Sequence, residues 1–111
     1  MEEKDYFKSI DVSITISDTE GNILYMNDKS QSVFGNLVGS NMMGCHKAAS
    51  QEIIHRLIDQ AESNAYTIEK KGVKKLIYQT PWYSDDTKTT VGGLIEFSIV
   101  LPDNMPHHIR G

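Results

Sequence analysis

Apolar and polar residues alternate one for one through Ile10-Asp11-Val12-Ser13-Ile14-Thr15-Ile16-Ser17. That period of two marks a half-buried strand. Asp18-Thr19-Glu20-Gly21-Asn22 follows as a tight polar turn in which Gly21 is free to take positive φ. Ile23-Leu24-Tyr25-Met26 is the return strand. Asn27 is placed to cap a helix that starts at Asp28, its side-chain oxygen accepting from amides with no partner inside the helix. Phe34-Gly35 closes that helix, with glycine at the favoured C′ position. Ahead of the first strand, residues 3–9 read as a short amphipathic helix or arm with Tyr6, Phe7 and Ile10 as its apolar contacts.

The pattern changes after Gly35. Asn36 to Ala49 contains glycine and methionine and predicts a helical turn and a loop. From Ser50 to Asn64 the spacing becomes helical: Ile53, Ile54, Leu57, Ile58 and Ala61 share one sector, while Glu52, His55, Arg56, Asp59, Gln60 and Glu62 fill the other. Ser50 is the expected N-cap, with Glu52 in the first turn where the helix dipole favours negative charge. Three strands complete the pattern. Tyr66 to Lys70 turns through Lys71-Gly72 into Val73 to Tyr83, and Ser84-Asp85-Asp86-Thr87 leads into a last strand from Lys88 to Leu101. On that strand Val91, Gly93, Ile95, Phe97, Ile99 and Leu101 share a face, and Gly92-Gly93 predicts a bulge or a close backbone approach. Pro102 ends the pairing, and residues 103–111 read as a tail. The order β-β-ααα-β-β-β predicts an α+β domain over residues 10–102, its helices gathered on one face of an antiparallel sheet.

Asp18, Gly21, Ile23 and Asn27 form a D-x-x-G-x-I-x-x-x-N run ahead of a short helix, which resembles the opening of a PAS domain. Leu37-Val38-Gly39-Ser40-Asn41 resembles the next landmark of that sensory-box family, a hydrophobic-Gly step before the middle helices. Lys75-Leu76-Ile77-Tyr78-Gln79 and Gly93-Leu94-Ile95-Glu96-Phe97 resemble its last two strands. The resemblance runs from about Tyr6 to Leu101 and rests on the order and spacing of elements. It implies a five-stranded sheet of order 2-1-5-4-3, with helices and inner sheet face enclosing a ligand-sized space. It also implies a leading helix that packs on the sheet or on a second subunit.

Composition narrows the class. A chain of 111 residues makes one domain, and 39% hydrophobic with 23% charged residues suits a folded core. A net charge of −4 opposes a nucleic-acid surface. The lone cysteine cannot form an internal disulfide, which favours the cytoplasm. Met1-Glu2-Glu3-Lys4-Asp5 lacks the apolar stretch of a signal peptide, and no run approaches the ~18 apolar residues of a membrane span. No membrane association is expected.

Candidate chemistry is sparse. Cys45-His46 invites a thiolate reading, since an imidazole beside a thiol favours its ionised form. Neighbouring residues point apart, however, and no acidic orienter or oxyanion signature accompanies the pair. Haem ligation, known on the long helix of some PAS domains, would fall to His55, whose helical angle turns it to water, or to His46 one loop earlier, which has no matching motif. A photoactive flavin needs an Asn-Cys-Arg-Phe-Leu-Gln run, and the chain has Gly44-Cys45-His46-Lys47-Ala48-Ala49. Neither haem nor flavin is therefore expected, while a small metabolite stays open. His107-His108 lack the further ligands of a closed metal site, and Lys70, Lys71, Lys74 and Lys75 suit an edge that discourages strand pairing.

The remaining set is apolar and aromatic. Phe34, Met42, Met43, Ile54, Leu57, Ile58, Tyr78, Trp82 and Phe97 are expected to converge between helices and sheet. Of these, all but Trp82 are candidate pocket residues, joined by Cys45, His46 and Gln79, with the methionines as an adaptable wall and Gln79 and Tyr78 as orienting groups. Glu96 is expected to face solvent. The resulting expectation is a sensory or interaction module that is not an enzyme. It would form a homodimer through the Tyr6/Phe7 arm and outer sheet face and pass a shift to a separate kinase or regulator. A dimerisation scaffold with a filled core, a haem sensor and a small enzyme on the same fold are the alternatives.

Overall fold

The computed structural model describes residues 1–45 and 48–111, apart from the side chain of Cys45. Helix α1 covers Glu3–Lys8, strands β1 and β2 cover Ser13–Asp18 and Ile23–Met26, and helix α2 covers Asp28–Phe34. A 3-10 turn at Met42–Cys45 precedes α3, Ala48–Gln60. Strands β3, β4 and β5 are Asn64–Lys70, Val73–Tyr83 and Val91–Leu101. They form one sheet of order β2-β1-β5-β4-β3 in which every neighbouring pair is antiparallel. The order is the one implied by the resemblance.

The first hairpin closes as its residues dictate. Asp18 accepts through Oδ1 from the amides of Glu20 and Asn22, both at 2.9 Å, and through Oδ2 from the Asn22 side chain at 3.1 Å. Burial works against the charged form of Asp18, but these hydrogen bonds outweigh it and hold its pKa below the usual value. Gly21 sits at φ 88, and a side chain there would collide with Met43. The segment after α2 seals the outer edge of β2, with Ile23 N–H donating to Ser40 and Gly39 N–H to Ile23, each at 2.8 Å. That edge is therefore blunted against foreign strands.

Several boundaries differ from expectation. The first strand begins at Ser13, and Ile10 is exposed. The long helix starts at Ala48 and stops at Gln60, so Ser50 lies inside its first turn and Asn64 already belongs to β3. Its end has a cause: Ala61 adopts φ 52, and Glu62 N–H reaches back to the Leu57 carbonyl at 3.1 Å. This is a Schellman closure with alanine in the place glycine prefers. Lys88 likewise turns through φ 58, so β5 starts at Val91 rather than at residue 88.

Ile54, Leu57 and Leu94 form the buried centre, with Met42, Met43 and Ile58 packed against it. Positions 54, 57 and 58 follow the three-four spacing of a helix face, which is why α3 lies on the sheet this way. The paired glycines of β5 serve Trp82. Its ring lies over Gly92, and its indole N–H donates to the Ser17 carbonyl at 2.9 Å, spanning β4 to β1 across β5. Gly93 stands opposite Asp18 at φ 156, so close to Ser17 that a Cβ would overlap its backbone carbonyl. The pairing shifts register beside it, between Trp82 and Tyr83. The close approach expected at the glycine pair is present.

Two substitutions test these backbone assignments. Ala61→Gly relieves a left-handed alanine and is expected to stabilise the domain by about 0.5–1 kcal/mol, read as a higher urea midpoint. Gly93→Ala drives a methyl into the β1 backbone and is expected to cost about 3 kcal/mol or more in the same measurement. An unchanged midpoint for either would contradict the geometry described.

Candidate functional site

In a strand, residues two apart share a face. Applied to the register, this rule lines up Asn64, Gln79, Glu96, Thr15 and Met26 as directly opposed partners in one row across all five strands. The row lies on the face that meets α2 and α3, because Leu94, two residues from Glu96, packs against Ile54 and Leu57. The middle of this inner face is polar. Asn64 Nδ2 donates to Gln79 Oε1 at 3.2 Å, and Gln79 Nε2 donates to Glu96 Oε1 at 2.9 Å. Beyond Glu96, the Thr15 and Ser30 hydroxyls share a 2.6 Å hydrogen bond that ties β1 to α2.

The direction of this chain of bonds is not arbitrary. An ionised carboxylate only accepts, so Gln79 must turn its NH₂ towards Glu96 and its oxygen towards Asn64. Asn64 must then present its own NH₂. One acid thus orients two amides in series, and each bond polarises the next. Two clefts border the row. Thr15, Ile23, Met26, Phe34, Leu37, Met42 and Glu96 line a space of about 270 Å³. Ser50, Ile53, Ile54, Asn64, Tyr66 and Gln79 line another of about 420 Å³. The Gln79–Glu96 bond joins the two, one residue belonging to each.

The expected site residues divide by face. Phe34 and Met42 line the smaller cleft, the former as a rim residue 47% exposed. Ile54 and Gln79 line the larger. Leu57 is fully enclosed and fills the core, with Met43 and Ile58 against it. Tyr78 and Phe97 do not join them. They stand opposite each other on β4 and β5 with their side chains on the outer face, where Phe97 lies beside Ile14, Ile16, Ile95 and Phe7 of α1. The apolar half of β5 thus faces away from α2 and α3. Glu96, expected in solvent, faces them instead, and Tyr66, Asn64 and Thr15 were missed with it. The one signal available was parity: Glu96 shares its face with Leu94 and Ser98. The Cys45 side chain and His46 lie outside the described residues, and His55 is exposed on α3 as its helical angle required.

The charge of Glu96 is felt nearby. Burial pushes the Tyr66 phenol above its ordinary pKa, and the Glu96 carboxylate raises it further. Among the described residues, no three or more His, Cys, Asp or Glu side chains gather to hold a metal ion. No helix of the described chain is long and apolar enough to cross a membrane.

An antiparallel five-stranded sheet with helices over one partly polar face defines a class of small α+β domains. No protein-family model matches the sequence, and no curated protein does. Solved structures do match in shape. The PAS domain of histidine kinase ThkA is 18% identical, with a TM-score of 0.63 over 81% of this chain and 99% of that one. A sensory box sensor histidine kinase from Vibrio cholerae is 13% identical, with a TM-score of 0.67 over 91% of this chain and 90% of the other. VqmA from Vibrio cholerae is 18% identical, with a TM-score of 0.71 over 91% of this chain, which spans only 51% of VqmA. The chain has the PAS fold.

If Glu96 faces Tyr66 as described, Glu96→Gln removes one of two causes that raise the phenol. The Tyr66 pKa is expected to fall in that variant yet stay above the ordinary tyrosine value, because burial remains. Absorbance or NMR titration from neutral to strongly alkaline pH reads the change, and an unmoved Tyr66 would place the carboxylate elsewhere.

Proposed function

We propose that this chain is a sensory and interaction module that holds a small molecule on its concave face and passes the change to a partner protein. The observation that carries the reading is the polar row from Asn64 to Thr15 beside two unfilled clefts. A sheet face meant only for packing would be apolar there, since buried polar groups gain little and cost much when left unpaired. Aligned polar groups beside apolar walls are what a small ligand needs for orientation and for affinity.

The path outward runs through Asn27. Its Oδ1 accepts from the amides of Ile14 and Ser30, and its Nδ2 donates to the carbonyls of Phe7 and Val12. Ser30 bonds Thr15 beside the smaller cleft, and Phe7 belongs to α1 on the other side of the sheet. Movement of α2 by a ligand therefore loads α1 through one side chain. The outer face that α1 borders is broad and apolar, with Tyr78 40% exposed and no residue of α1 buried. A second copy of the chain docks there in this reading, and a separate kinase or regulator takes the output. Support comes from the similar structures, described as the PAS domain of a histidine kinase, a sensory box sensor histidine kinase and a VqmA dimer in the absence of its target DNA. The module is read as a binding protein of the cytoplasm rather than an enzyme, in keeping with its single cysteine and the sensor domains it resembles.

Sedimentation velocity at high micromolar concentration is expected to show a dimer that Tyr78→Lys weakens. Native mass spectrometry of fresh protein is expected to show a retained small mass. A strict monomer with no added mass, whose concave-face resonances respond to no small molecule, would overturn the reading.

A further inference from the structure

We propose that the smaller cleft selects small organic cations, such as a primary amine on a compact apolar body, through the unused oxygen of Glu96. The inference rests on the ligand-binding role given above and adds the charge of the ligand. Glu96 lies directly opposite Thr15 and Gln79 in the middle of the sheet, with its side chain half-buried at the cleft wall. Its Oε1 accepts from Gln79, and Oε2 has no hydrogen-bond partner among the described residues.

Among the described residues, no cation is paired with it. The ion pairs among the described residues are Lys4 with Glu2, Lys8 with Asp28, Lys29 with Asp11 and Arg56 with Glu62, and none includes a residue of this row. Besides Thr15, whose hydroxyl shares a hydrogen bond with Ser30, the cleft walls are the side chains of Ile23, Met26, Phe34, Leu37 and Met42, which carry no charge. The amides of Asn64 and Gln79 both point their NH₂ groups towards the acid, so the pair of amides ends on an acceptor, Glu96, that lines the largely apolar cleft. A carboxylate on an apolar wall is best matched by an N–H donor carrying positive charge, since charge-assisted hydrogen bonds are roughly twice as strong as neutral ones. An anion would meet repulsion from Glu96, with no lysine or arginine among the described wall residues to offset it. A neutral alcohol would satisfy the geometry but not the charge. The space of about 270 Å³ admits a body displacing roughly nine waters at about 30 Å³ each, the size of a single substituted ring.

The test uses the whole chain and three probes of one shape: benzylamine, benzyl alcohol and benzoate. Methyl and side-chain amide NMR titrations report on Ile23, Met42, Leu94 and the Gln79 amide. Benzylamine is expected to shift these signals and to bind about ten-fold tighter than benzyl alcohol, with benzoate weakest. Glu96→Gln is expected to remove about ten-fold from benzylamine affinity and to leave benzyl alcohol within about two-fold. The ranking of probes on the unaltered chain needs no variant, so it stands even if Glu96→Gln folds poorly. Equal binding of amine and alcohol, or tighter binding of benzoate, overturns the cation inference while leaving a ligand cleft in place. If none of the three moves any concave-face signal, the ligand-binding reading itself falls.

Discussion

One buried amide holds the two sides of this domain together. Asn27 is 1% exposed and uses all four hydrogen-bonding positions of its side chain, two accepting and two donating. The four partners come from α1, the loop before β1, β1 itself and the first turn of α2. Each buried partner left without its mate costs roughly 1–3 kcal/mol, against a whole-domain stability of about 5–15 kcal/mol. No other residue type of that size supplies two acceptor lone pairs and two N–H donors at once. An aspartate caps the helix equally well but sets an oxygen against the Phe7 and Val12 carbonyls. The position therefore demands asparagine for a reason beyond capping.

From that anchor the sheet acquires two unlike faces. The outer face, with Ile14, Ile16, Ile95, Phe97 and Tyr78, is apolar and only lightly covered. The concave face carries a small apolar centre flanked by Thr15, Gln79, Glu96 and Asn64. In a domain built solely to be stable the apolar face would lie under the helices. Here the more apolar surface points outward, and the face beneath the helices is left partly polar and incompletely filled. In the proposed reading, ligand orientation and partner docking each have their own side.

That inversion explains what the sequence did and did not make legible. Strand and helix types follow from periods of two and of 3.6, and Asn27 and the glycine pair of β5 announce their roles through residue type. The strand order was available only through resemblance, because alternation does not say which strands pair. Alternation also sorts residues into two sets without saying which set meets the helices. Val91 to Leu101 offered one set rich in apolar side chains, and the natural assumption placed that set inside, taking Phe97 and Tyr78 with it. The register shows the opposite, since Leu94 alone of the other set anchors α3. Glu96 was hidden by the same assumption. The helix end at Gln60 was hidden differently: an alanine in a glycine's conformation leaves no compositional trace.

Trp82 is the only tryptophan of the chain, and its indole is fastened across a neighbouring strand to a carbonyl two strands away. Any sliding of β4 past β1 must stretch that N–H···O contact and alter the polarity around the ring. The molecule thus contains its own optical gauge of sheet twist: intrinsic fluorescence from a single, mechanically loaded site, requiring no attached dye.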